Sequence, residues 1–112
     1  MTDAAAWVER LVQASSGSAA RPGLDARVAV ALDGGPSTVL DISDGRVAGV
    51  ADGPAEVEVP LTAEQVQAFG GGEVSLAVAY MRGDVKPVGS TGALAVFIEV
   101  VDDPATWAAL AG

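Results

Sequence analysis

An α+β fold, a five-stranded sheet covered by helices, is what the order of hydrophobic periods in this chain predicts. Two observations carry it. Apolar residues keep a helical spacing to about Ala14, alternate strictly from Arg27, and return to helical spacing after Thr62. Clusters of Gly, Pro, Ser and Asp stand at each switch. Strands and helices are thus segregated along the chain, which argues against a strictly alternating parallel α/β sheet.

Each element has a local reason. Asp3 can cap a first helix running to about Ala14, with Trp7 and Leu11 one turn apart on one face. "SSGSAARPG" breaks it. In "RVAVAL", Val28, Val30 and Leu32 share a face with small Ala between them. "DGGP" and "SDG" turn the chain into "STVLDI" and then "RVAGVA", a three-stranded meander. "EVEV", Glu56 to Val59, makes a fourth strand that Pro60 closes. Thr62 followed by Gln65 spells a capping box, and Val66 and Phe69 form the buried stripe of a short helix ended by Gly70 to Gly72.

The next helix is expected to open near Glu73, a favourable place for negative charge, and to run to about Arg82. Val74, Ala77, Val78 and Met81 would form its buried face, and Gly83 its C-terminal cap. "DVKPV" suits a fifth, edge strand. "ALAVFIEVV" contains strand formers, but Leu94, Phe97, Ile98 and Val101 fall at helical spacing, so it reads as a helix. Asp103 and Pro104 then look like the cap and first residue of a last turn, "PATWAAL". The order is helix, three strands, a fourth strand, two helices, a fifth strand and helices.

Composition narrows the chemistry. At 112 residues the chain is long enough for one domain, 1–112, with a real core. Fifteen acidic residues against six basic ones give a net charge of −9, which opposes nucleic-acid binding and adsorption to anionic membranes. No apolar run approaches the roughly 20 residues needed to span a bilayer. The first residues carry Asp3 and Glu9 and no basic leader, so a cytoplasmic protein without signal peptide or anchor is expected. Histidine and cysteine are both absent, which removes Ser-His and Cys-His nucleophiles and the usual zinc and copper ligands. Carboxylates such as Asp41 and Asp44 show no spacing that predicts a shared catalytic pocket. "DISDG", Asp41 to Gly45, lacks the alternating oxygen ligands of a calcium loop and reads as a turn. Neither catalytic residues, cofactor nor metal is implied.

The remaining candidates each carry two readings. Arg82-Gly83-Asp84 spells an adhesion tripeptide, yet helix-cap chemistry explains it. "GGGEVS" could hold phosphate at a helix N-terminus or simply break a helix. "GSTG", Gly89 to Gly92, opens the last long helix with free N–H groups, and Arg82 and Lys86 lie upstream. Together these could hold a carboxylate or phosphate head group; alternatively they form a tight turn with two solvated cations. The apolar stripes Val66, Phe69, Val74, Val78, Met81, Leu94, Phe97, Ile98 and Val101 either fill an ordinary core or wall a ligand cavity.

From Leu24 to Val101 the chain resembles the sterol carrier protein type 2 family. The resemblance rests on Gly72, then Ala79-Tyr80-Met81-Arg82-Gly83, then "DVKPV", Gly89 and "ALAVFIEVV", preceded by "TVLDISDGRVAGV" and "DGPAEVEVPLTAEQVQAF". The Ala, Val, Gly and Asp bias resembles a bacterial, single-domain member. The resemblance implies a sheet covered by helices that encloses an apolar tunnel for a fatty acid, acyl-chain lipid or sterol. The tunnel would be walled by the helix ending at Met81 and by Leu94 to Val101, with Phe69 near one end and Arg82 and Lys86 near the mouth. It implies non-enzymatic lipid binding or transport, with transfer between membranes as its extension and no stable membrane insertion. A ligand-free structural or protein-interaction module on the same scaffold is the alternative. Eukaryotic members are basic where this chain is acidic, the family's basic strand keeps only Lys86, and "LAG" replaces a peroxisomal signal.

Overall fold

The computed structural model describes residues 3–112. Five helices, α1 (Ala4–Ser15), α2 (Ala63–Gly70), α3 (Leu76–Met81), α4 (Thr91–Val101) and α5 (Pro104–Ala111), accompany one mixed sheet. Its strands are β1 (Ala26–Leu32), β2 (Ser37–Ser43), β3 (Arg46–Val50), β4 (Val57–Leu61) and β5 (Val88–Gly89), ordered β3-β2-β1-β4-β5. The α+β class and the element order follow the expectation. The meander β1-β2-β3 is antiparallel, β4 returns parallel to β1, and β5 is antiparallel to β4.

Alternation fixes which face meets the helices. Val28 pairs with Leu40 on one side and Val57 on the other, and Val30 pairs with Val59, so these side chains share one buried face. Helix α4 lies over β1 and β4, α1 lies over β3 and β2, and α2 packs on α5. The Asp44-Gly45 pair turns β2 into β3 with both residues at positive φ, 52° and 76°. That backbone matches the right-handed twist of a two-residue hairpin.

Four aromatic side chains, each at most 1% exposed, meet where the helices converge. Trp7 stacks on Trp107 with centroids 5.3 Å apart, Phe69 lies 5.3 Å from Trp107, and Phe97 meets it edge-on at 6.1 Å. Both indoles bury their rings while satisfying their one donor: Trp7 Nε1 donates to Thr106 O and Trp107 Nε1 to Asp102 Oδ1, each at 2.9 Å. What looked like a last turn is therefore an eight-residue helix that supplies the centre of the core.

Four local expectations need correction. Asp3 stands at the N-cap of α1, but its side chain accepts no capping hydrogen bond. Strand β4 starts one residue later than expected and continues through Pro60 to Leu61. β5 pairs only with Val57 and Glu58, so β4 is an open edge at Pro60 and loses no ladder donor there. β5 itself is two residues long instead of five. Helix α3 begins at Leu76 under a Ser75 cap, not at Glu73, and buries Leu76 and Ala79. Val78 and Met81, expected on the buried face, are 39% and 82% exposed.

Helices α2 and α5 meet at a glycine. A Cβ on Gly70 would lie 2.9 Å from both Cα and N of Ala108, closer than real contacts allow. A helical Gly→Ala change with free space stabilises by about 0.4–1 kcal/mol. Here overpacking against backbone reverses the sign, and Gly70→Ala should destabilise by about 1–3 kcal/mol. Chemical denaturation midpoints read this directly; a stabilised variant would show that the two helices are not held at this separation.

Candidate functional site

Helix α2 is placed by hydrogen bonds that involve three parts of the chain. Thr62 Oγ1 accepts the Gln65 N–H at 3.1 Å while Gln65 Oε1 accepts the Thr62 N–H at 2.9 Å, completing the expected capping box. Asp33 Oδ1 accepts the Ala63 N–H at 3.0 Å, tying the helix to the β1-β2 turn. Gln65 Nε2 also donates to Asp84 O at 3.0 Å, which fastens α2 to the segment after α3.

Helix α3 has only six residues, too few to persist alone, so its ends matter most. At its C-terminus Gly83, at φ 80°, donates to Tyr80 O, and Asp84 donates to Ala79 O. This pairing is the Schellman arrangement, so Arg82-Gly83-Asp84 is accounted for as a helix cap. At its N-terminus the Asp102 carboxylate accepts the Leu76 N–H at 2.9 Å and the Ala77 N–H at 3.0 Å. The same Oδ1 receives the Trp107 indole. Glu73, expected at a helix start, precedes the helix, and Asp102 from the end of α4 satisfies the free donors instead.

The space between α2 and α3 forms a groove. One cleft of ≈ 400 Å³ is bordered by Phe69, Val74, Val78, Arg82 and Trp107, with Glu73, Asp102 and Asp103. A second, also ≈ 400 Å³, is bordered by Gln65, Ala68, Ala79, Glu64 and Asp84, and again by Phe69, Val74 and Arg82. The three shared residues join the clefts side by side. The Arg82 guanidinium makes no hydrogen bond or ion pair among the described residues; the ion pair found among them joins Arg21, on a separate cleft, to Glu99 at 3.4 Å.

The expected site residues therefore separate into groups. Phe69, Val74, Val78 and Arg82 come together in the groove. Val66, Leu94, Phe97 and Val101 are core residues, at most 3% exposed, and border neither cleft. Ile98 is half-buried against that core, and Met81 points to solvent. Lys86 borders a different cleft, with Asp33, Pro60 and Asp84, so it shares none with Arg82. "GSTG" is a strand-to-helix turn: Ser90 Oγ caps α4 by accepting the Ala93 N–H at 3.1 Å. A Cβ on Gly89 would meet Val57 Cα at 2.9 Å, which explains the glycine where β5 closes on β4.

No protein-family model and no curated protein matches this sequence. Solved structures do match. A crystal structure of sterol carrier protein 2 aligns over 95% of this chain and 94% of its own, with a TM-score of 0.66 and 19% identity. The chain has the sterol carrier protein 2 fold. Sterol carrier protein 2 like 2 from Aedes aegypti aligns over 86% of this chain and 94% of its own, with a TM-score of 0.58 and 18% identity. The stereoselective inverting sec-alkylsulfatase Pisa1 from Pseudomonas sp. aligns over 73% of this chain, with a TM-score of 0.54 and 22% identity. There the match spans 13% of the longer enzyme chain. Within the sterol carrier protein 2 fold of this chain, no helix among the described residues is long and apolar enough to cross a membrane. Among the described residues no cluster of acidic side chains is arranged to hold a metal ion.

Sequence reasoning missed Asp102 and Trp107, which build the inner end of the groove. "VVDDP" offered two aspartates, and only Asp103 carried a local capping signal. Removing the Asp102 carboxylate leaves two backbone N–H groups and an indole N–H without their acceptor. Asp102→Ala should cost about 2–4 kcal/mol of stability, read from denaturant midpoints. A loss below about 0.5 kcal/mol, the size of an ordinary surface change, would contradict this role.

Proposed function

We propose that the groove between α2 and α3 binds the hydrocarbon part of a lipid, an acyl chain or a sterol, without chemical conversion. The observation that carries this is the meeting of two ≈ 400 Å³ clefts at Phe69 and Val74, with Val78 beside them, in a chain with the sterol carrier protein 2 fold. Clefts of this size lie within the range of small-molecule sites, about 300–1,000 Å³. Each methylene taken from water onto such a wall contributes up to about 0.8 kcal/mol. A non-enzymatic role is supported by a sequence that has neither histidine nor cysteine. On this reading the protein carries lipid in a bacterial cytoplasm.

A second reading, a ligand-free structural or protein-interaction module, is favoured by one observation. Trp7, Phe69, Phe97 and Trp107 fill the interior where the resemblance implies a tunnel. The two readings separate on a single variant. Val78 is 39% exposed, so Val78→Asp should leave the fold intact while placing a charge on the apolar wall. With an uncharged fluorescent sterol as probe, the natural protein should bind and Val78→Asp should bind at least about tenfold more weakly. Equal affinity in a folded Val78→Asp variant would overturn the groove as the site. No binding by either protein would favour the module.

A further inference from the structure

The charges that border the groove do not suit an anion. Glu73, Asp102 and Asp103 stand on the first cleft, and Glu64 and Asp84 on the second, against the single guanidinium of Arg82 that both share. Two of these carboxylates are already engaged. Asp102 accepts three N–H donors, and Asp103 accepts the Thr106 N–H at 2.9 Å and its hydroxyl at 2.6 Å. The carboxylates of Glu64, Glu73 and Asp84 accept no hydrogen bond among the described residues, so no partner within the chain offsets their charges on the rim. Arg82 can offset one of them. The other basic candidate, Lys86, borders a neighbouring cleft that shares Thr62, Gln65 and Asp84 with the second, so even with Lys86 counted the three free carboxylates outnumber the two cations.

We propose that the ligand of this groove is a cationic amphiphile, a long-chain amine or quaternary ammonium compound, in preference to a fatty acid or an acyl phosphate. This rests on the groove being the lipid site. Val74 and Val78, with buried Phe69 behind them, supply a wall for the chain, and the carboxylate rim supplies the counter-charge for the head. The chain's net charge of −9 adds a long-range field of the same sign, which raises the local concentration of cations and lowers that of anions. A carboxylate head must instead sit within reach of several like charges, which partly exposed sites screen only in part.

A ten-carbon series tests the head group with the tail held constant: decylammonium, decanol and decanoate, titrated by calorimetry at neutral pH. The expected affinity order is decylammonium, then decanol, then decanoate, with the two ends at least about tenfold apart in low salt. Raising salt from about 0.01 M to about 1 M should shrink that ratio, because the Debye length falls from about 30 Å to about 3 Å. The combined variant Glu64→Gln, Glu73→Gln, Asp84→Asn should bring the ratio toward one while leaving decanol affinity unchanged. Decanoate binding as tightly as decylammonium would overturn the head-group proposal and leave the groove standing. Failure of all three to bind would overturn the groove reading and this proposal with it.

Discussion

One carboxylate sets the geometry on which the groove depends. Asp102, at the end of α4, accepts the first two free N–H groups of α3 and the indole N–H of Trp107 from α5. A helix of six residues has too few internal hydrogen bonds to hold its own shape in water. Its place is therefore imposed from outside, by Asp102 and Ser75 at one end and by the Gly83 cap at the other. Because α3 is the outer wall of the groove and Trp107 borders its inner end, the same side chain positions both. The charge-assisted bonds to partly buried donors are of the stronger kind, which lets one residue outweigh the weak intrinsic helicity of α3.

Trp107 extends that influence inward. It touches Trp7, Phe69 and Phe97, one aromatic ring from each of α1, α2 and α4, so four helices share one packing centre. Such a cluster buries large areas and leaves the interior dense, as native cores are. The physical consequence concerns where an apolar ligand can go. With Leu94, Phe97, Val101 and Phe69 spent on the core, the apolar surface left open in the groove lies at the margin, along Val74 and Val78. The neighbours in shape include proteins named as sterol carriers and a short part of a sulfatase chain, so the fold alone does not choose a role.

Features closed by near neighbours in sequence were legible. The Thr62–Gln65 box, the Asp44-Gly45 turn, the Asp103-Pro104 helix start and the Gly83 cap each need only a few consecutive residues. The face of α3 was not legible. Over fewer than two turns, Val74, Ala77, Val78 and Met81 fit a helical period as well as Leu76 and Ala79 do, and only the late start at Ser75 and the neighbouring elements decide between them. Asp102 was hidden for a different reason: its backbone partners lie 25 and 26 residues upstream, and no local pattern marks such a contact. Phe97 and Leu94 were placed on the correct buried face, but a stripe that lines a cavity and one that fills a core have the same spacing.

The central claim is that the aromatic core stays closed and the lipid lies in the groove outside it. Amide and indole NMR spectra, recorded while decylammonium is added, test this most directly. Shifts should concentrate at Phe69, Val74, Val78 and Arg82, while the Trp7 indole, whose N–H donates to Thr106 O, and the amides of Leu94 and Phe97 stay in place. Large shifts at the Trp7 indole and along α4, with the groove residues unmoved, would show the ligand entering between the helices and contradict the account.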